Sequence, residues 1–74
     1  MSSRLRPLGN LKTLFQDQSE LLIEPGRTVR EILVELNVKP ELIAGVIVNG
    51  ALQTKDYQVQ DGDEIKIMSV IGGG

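Results

Sequence analysis

The sequence predicts an α+β roll, a mixed sheet of four to five strands with one main helix packed on one face. Three observations lead to it. Short apolar strand-like runs bounded by turn residues occur in both halves of the chain. One capped amphipathic helix stands between the two halves. An Asn49-Gly50 pair then folds the second half back on itself, the strongest short hairpin signal a sequence carries.

Taken in order, residues 3–8 read as a first strand, with Pro7 pushing its end toward an edge or a turn before Gly9-Asn10 breaks it. Leu8, Leu11, Leu14 and Phe15 have the spacing of one or two helical turns, with a short strand over 12–15 as the competing reading. Gln16-Asp17-Gln18-Ser19 is a polar turn, and 20–24 a second strand closed by Pro25-Gly26. Thr28-Val29-Arg30-Glu31 is a capping box: the Thr28 hydroxyl accepts from the Glu31 amide while the Glu31 carboxylate accepts from the Thr28 amide. Val29, Ile32, Leu33 and Leu36 then form one apolar stripe at i, i+3, i+4 and i+7, and the helix should end near Leu36-Asn37, ahead of Pro40.

Residues 44–48 form the strand before the Asn49-Gly50 turn, and Ala51-Leu52 starts a short return strand. Residues 54–60 are irregular, with room for one helical turn. Asp61-Gly62-Asp63 makes a tight turn into the last strand, 64–68, whose alternation puts Ile65 and Ile67 on one face and Lys66 and Met68 on the other. The order is β-β-α-β-β with a short extra element before the last strand. Its first and last strands lie side by side at the centre, the arrangement of a β-grasp, or ubiquitin-like, roll. A single helix covers one face of that sheet only. Met68, with Ile47 and Leu22, is expected on the open face, where exposed apolar residues suit a docking partner.

Composition narrows the function. Seventy-four residues hold one small core, here without cysteine and so without disulfides. With no His and no Cys, the usual neutral-pH acid–base group, thiol nucleophile and soft metal ligands are missing, and no acidic cluster has the spacing of a calcium loop. The chain is therefore not expected to be an enzyme by itself, nor to hold a metal or cofactor of its own. A net charge of −2 argues against a nucleic-acid partner, and the absence of a long apolar run or signal pattern argues against a membrane and for the cytoplasm. The remaining reactive group is the carboxylate of Gly74, at the end of Val70-Ile71-Gly72-Gly73-Gly74. Glycine has no Cβ, so this stalk takes conformations closed to other residues and threads narrow channels. The expected organisation is a domain over 1–69 and a tail over 70–74.

These residues resemble the ubiquitin-like sulfur carriers of the ThiS/MoaD family. The resemblance runs over nearly the whole chain. It rests on residues 25–33 at the helix start, Val46-Ile47-Val48-Asn49-Gly50 in the hairpin, Asp61-Gly62-Asp63-Glu64-Ile65 before the last strand, and the terminal glycines. It implies that a ubiquitin-activating-type enzyme uses ATP to adenylate the terminal carboxylate. Sulfur from a persulfide then makes a thiocarboxylate, which supplies a thiazole synthase in the thiamin pathway or the large subunit of molybdopterin synthase. Carried onto this chain, Gly74 is the acceptor, Gly73 the required penultimate glycine, and Val70, Ile71 and Gly72 the threading arm. Met68, with Lys66 and Ile47, forms the partner-binding surface, and the free chain is expected to be a monomer.

The resemblance does not choose the pathway. Val70-Ile71 before the glycines is similar to the thiamin branch, and Leu8-Gly9-Asn10-Leu11-Lys12 to the molybdopterin branch. Two other readings share the pattern: a ubiquitin-like modifier whose activated carboxylate forms an isopeptide with a lysine, and a binding module like the TGS β-grasp domains.

Overall fold

The computed structural model describes residues 2–69. The expected tail, 70–74, lies outside the described residues. The five strands are β1 (Ser3–Pro7), β2 (Leu21–Ile23), β3 (Ile43–Val48), β4 (Ala51–Gln53) and β5 (Glu64–Ser69), with one α-helix, α1 (Val29–Glu35), between β2 and β3. They form one sheet in the order β2-β1-β5-β3-β4. β1 and β5 are parallel and the other neighbours antiparallel, so the sheet is mixed. This is the β-grasp roll.

β1 alternates buried Ser3, Leu5 and Pro7 with exposed Arg4 and Arg6. It lies inside the sheet, not at an edge, and Pro7 is accommodated by its direction. The Arg4 and Leu8 amides donate toward the β5 side, to the carbonyls of Asp63 (2.9 Å) and Ile67 (3.0 Å). By alternation the Pro7 nitrogen points the other way, past the end of the β2 ladder at Leu5–Leu21, where no ladder donor is needed.

After β1 the chain forms a 3₁₀ helix over Gly9–Phe15, so the helical reading of this stretch holds over the strand. Leu11 and Phe15 enter the core, while Leu8 and Leu14 stay exposed. The turn that follows holds Gln16 and Asp17 in the left-handed region, at φ 59° and 62°.

The helix begins as its capping box prescribes. The Glu31 amide donates to Thr28 Oγ1 (3.1 Å) and the Thr28 amide to Glu31 Oε1 (2.9 Å). The next two amides are satisfied from outside: Val29 donates to the Tyr57 carbonyl (3.0 Å) and Arg30 to that of Lys55 (2.9 Å). Residues 54–57 close a single i→i+3 turn, the Tyr57 amide donating to the Thr54 carbonyl (3.1 Å), and the bonds to Val29 and Arg30 explain why it does not continue as a helix. Carbonyls at 55, 57 and 59 accept from residues 30, 29 and 26, and the Val59 amide donates to the Arg27 carbonyl, so this backbone is committed to a strip alongside 26–30. A seven-residue helix is marginal by itself, and α1 is held by burying Val29, Ile32 and Leu33. Asn37, at φ 63°, follows its end.

A second 3₁₀ turn, Pro40–Leu42, leads into β3. The hairpin between β3 and β4 turns on Asn49 (φ 50°) and Gly50 (φ 87°), both in the left-handed region a type I′ turn requires. The core lies between α1 and one face of the sheet, with Leu5, Val46, Ile65 and Ile67 of the sheet and Ile32 and Leu33 of the helix at most 2% exposed. Each such side chain contributes about 1.5–3 kcal/mol by leaving water.

Candidate functional site

The face of the sheet opposite α1 is organised by β5, the central strand. Its odd positions, Ile65 and Ile67, are buried under the helix, so Glu64, Lys66 and Met68 point the other way. Lys66 sits between Arg6 of β1 and Ile47 of β3, and Ile47 is in turn opposite Leu52 of β4. One step along, Met68 is opposite Gly45. Leu8 keeps an extended backbone (φ −94°, ψ 152°) and its amide bonds to Ile67, so alternation from Arg6 puts it on this face beside Met68. Lys66, Met68 and Ile47 thus lie together, beside Leu8, Gly45 and Leu52. Leu52 is 73% exposed. Leu22 also lies on the open face, at 71% exposed, but on β2 at the far edge, with β1 and β5 between it and Ile47.

The face is therefore divided. Toward β2 it is charged: Arg6 pairs with Glu20 (3.3 Å) and Glu64 (3.7 Å). Toward β4 it is apolar. Lys66 stands at the boundary and has no ion-pair partner among the described residues. Met68 is the next-to-last described residue, so the apolar half adjoins the root of the 70–74 segment.

The turn into β5 is held by a buried carboxylate. Asp63 accepts from the Tyr57 hydroxyl (2.6 Å), the Gln60 amide (2.8 Å) and the Asn49 side-chain amide (2.8 Å). Asn49 also accepts from the Glu64 amide (2.9 Å), which ties the β3–β4 hairpin to the start of β5. Burial pushes the Asp63 carboxyl up, but the bonds from Tyr57, Gln60 and Asn49 together outweigh it and hold it below its ordinary value. The hydrogen bond to Asp63, helped by burial and by the negative charge, pushes Tyr57 up. A second pair, Arg27 with Glu35, ties the residue before the helix cap to the last turn. Their side-chain hydrogen bond lowers Glu35 and raises Arg27.

Elsewhere the surface has little chemistry. A cleft of about 320 Å³ lies between β3 and the 52–55 segment. Both cations on its wall are engaged: Arg30 with Asp56 (3.0 Å), and Lys55 Nζ with the carbonyls of Pro40 (2.8 Å) and Ile43 (3.1 Å). Among the described residues no three His, Cys, Asp or Glu side chains are grouped as metal ligands, and no helix is long and apolar enough to cross a membrane.

The sequence profile of the ThiS family matches residues 8–74. The chain belongs to the ThiS family. Its coarse function follows: it is a small sulfur carrier of cofactor biosynthesis, of the kind that acts with partner enzymes. Two solved structures have the same fold as this ThiS-family chain. One is a candidate molybdopterin converting factor, subunit 1, from Pyrococcus furiosus, 19% identical, with a TM-score of 0.70 over 93% of this chain and 97% of that one. The other, from Haloferax volcanii and solved in solution, is 20% identical, with a TM-score of 0.72 over 100% of this chain and 87% of that one. The search of curated proteins found no match for the chain.

Of the residues expected to act in this ThiS-family protein, Met68, Lys66 and Ile47 share one patch, and Val70, Ile71, Gly72, Gly73 and Gly74 lie outside the described residues. Sequence reasoning did not add Leu8, Gly45 or Leu52 to the patch. Alternation gives each residue's side within a strand, but only the β1–β5–β3–β4 register makes the three neighbours of Met68 and Ile47.

Proposed function

We propose that the carboxylate of Gly74 is the working group of this carrier, adenylated by a ubiquitin-activating-type enzyme and converted to a thiocarboxylate that donates sulfur. The observation that carries this reading is the ThiS-family match, which extends through Gly72, Gly73 and Gly74. A C-terminal carboxyl titrates near about 3.5, so at neutral pH it is an anion able to attack the α-phosphate of ATP. The same charge makes it a poor electrophile. Adenylation corrects that: pyrophosphate leaves, and the acyl carbon gains AMP as a leaving group. The terminal sulfur of a partner's persulfide then attacks that carbon and expels AMP. Cleavage of the resulting acyl disulfide by a second thiol leaves the thiocarboxylate. No step asks this chain for a general acid or base, which suits a sequence without His or Cys.

In this reading residues 70–74, extended, span roughly 17 Å at about 3.4 Å per residue, enough to carry the carboxylate into a partner's pocket while the domain stays outside. The apolar half of the open face docks the activating enzyme: Met68, Ile47 and Leu52 meet an apolar surface, and Lys66 meets a carboxylate at its rim. The sulfur acceptor is the enzyme that builds the thiamin thiazole or the large subunit that builds molybdopterin. The ThiS-family match favours the first, and the likeness in fold to the Pyrococcus molybdopterin converting factor favours the second.

Intact mass after incubation with the activating enzyme, ATP and a persulfide donor tests the reading. A shift equal to sulfur replacing one oxygen is expected. Conjugates of higher mass without that shift would instead identify a protein modifier. Docking is tested separately at Leu52. Because that side chain is 73% exposed, Leu52→Ser should leave stability within about 0.5 kcal/mol. It should raise the KM for the carrier in adenylation roughly fivefold, the scale of about 1 kcal/mol lost at an interface.

A further inference from the structure

Gly45 differs from the other described glycines. Gly9, Gly26, Gly50 and Gly62 all have φ between 58° and 100°, and a Cβ built on any of them would meet nothing within 4 Å. Their backbones explain them. Gly45 lies inside β3 outside that left-handed region, in a conformation any residue adopts, yet a Cβ there would fall 2.7 Å from Met68 Cε and 3.8 Å from Leu52 Cδ1. What needs the missing Cβ is the Met68 side chain, which occupies its place.

The register brings this about. Between the Ile43–Ser69 and Gly45–Met68 pairs β3 has one extra residue, Ala44, a bulge that keeps Ile43 in the core while turning Gly45 to the open face opposite Met68. Glycine in a strand is otherwise a poor choice, since it gives up the most backbone entropy and packs nothing. Here it makes a notch. Methionine, unbranched and with three rotatable bonds, would otherwise sample many positions on an open face. Its methyl end instead lies over bare β3 backbone, within reach of Leu52.

We propose that Gly45 is a positioning residue for partner docking: by lacking a Cβ it seats Met68 flat against β3, and this seated side chain is what the activating enzyme recognises. The proposal rests on the carrier reading above. The seat works by pre-ordering the patch. A partner that meets Met68 already in place spends less on fixing it than one that must choose among its rotamers.

The atom that a Cβ would strike is the far end of a flexible side chain, so Gly45→Ala can fold with Met68 swung aside. Three measurements on the full chain test the idea. First, 13C-methyl NMR: with only two methionines, the Met68 methyl is readily assigned, and in the wild type it should show contacts to the Gly45 α-protons that vanish in Gly45→Ala. Second, ATP–pyrophosphate exchange with the activating enzyme of the same organism, where Gly45→Ala should raise KM roughly fivefold to tenfold at unchanged kcat. Third, the same exchange in a Met68→Ala background, where Gly45→Ala should have no further effect, because the residue it positions is gone.

An unchanged KM in Gly45→Ala, or a loss that simply adds to that of Met68→Ala, overturns the proposal while wild-type exchange leaves the carrier reading standing. A wild-type chain that supports no exchange at all overturns both.

Discussion

A chain lacking Gly73 and Gly74 is expected to unfold at the same temperature as the 74-residue chain and to form no thiocarboxylate. The two halves of this result have separate causes. Every buried core residue among those described lies at or before Ile67, so the cut removes nothing from that cluster. Function is lost because the carboxylate moves back. Each residue removed shortens an extended arm by about 3.4 Å, while adenylation needs the attacking oxygen within about 3–3.5 Å of its target. Removing Gly74 alone should already cost at least about 10²-fold in adenylation rate, since displacements near 1 Å have effects of that size. Circular dichroism melts and intact mass measure the two halves. Full sulfur loading of the shortened chain would refute the assignment of Gly74.

The largest effect on stability is expected at Asp63. Asp63→Ala strips the acceptor from Tyr57, Gln60 and Asn49 together, in a site only 6% exposed, and should cost about 2–4 kcal/mol in denaturant unfolding. Its charge also writes a pH dependence. The folded-state value of Asp63 is lowered, so its contribution is fully present above the ordinary carboxylate range near pH 4 and is lost as pH falls through the depressed value. The value of Tyr57 is raised, so the contribution of its proton is fully present below the ordinary tyrosine range near pH 10 and is lost as pH rises through the raised value. Asp63→Asn should flatten the acid limb of a stability–pH profile. It should also bring the tyrosinate absorbance transition back toward the ordinary value, and with one tyrosine in the chain that signal is unambiguous. A tyrosinate transition that does not move would mean that the Tyr57–Asp63 bond does not govern it.

The features read correctly from the sequence are those whose partners lie close by in the chain. The Thr28–Glu31 box and the Asn49-Gly50 turn each close over two to four residues, so residue type and spacing suffice. The alternation of Ile65 and Ile67 against Lys66 and Met68 is likewise local. Residues 54–60 show the converse. Their composition allows a helical turn, and one turn closes from the Tyr57 amide to the Thr54 carbonyl, but the carbonyls of 55, 57 and 59 and the Val59 amide bond to 26–30, and nothing in the stretch itself announces that. The stretch after β1 could be strand or helix by spacing, and the helical form buries Leu11 and Phe15. Asp61-Gly62-Asp63 was legible as a turn. That Asp63 is its hub was not, because Asn49 is fourteen residues away.

By itself the sequence determined the β-grasp element order, the helix and its cap, the hairpin, the absence of His and Cys, and membership of the sulfur-carrier family. Each depends on short-range spacing, on composition, or on motifs in a set order. The tertiary structure alone decided which open-face residues are neighbours. Leu22 and Met68 look equivalent in the sequence as open-face apolar residues of strands, but the order β2-β1-β5-β3-β4 sends Leu22 to the far edge and brings Met68, half-buried, to Gly45. The cause is that strand order and register are set by long-range burial on the helix side of the sheet. The open face inherits its neighbours from that choice, and no local pattern on it records which strands will adjoin.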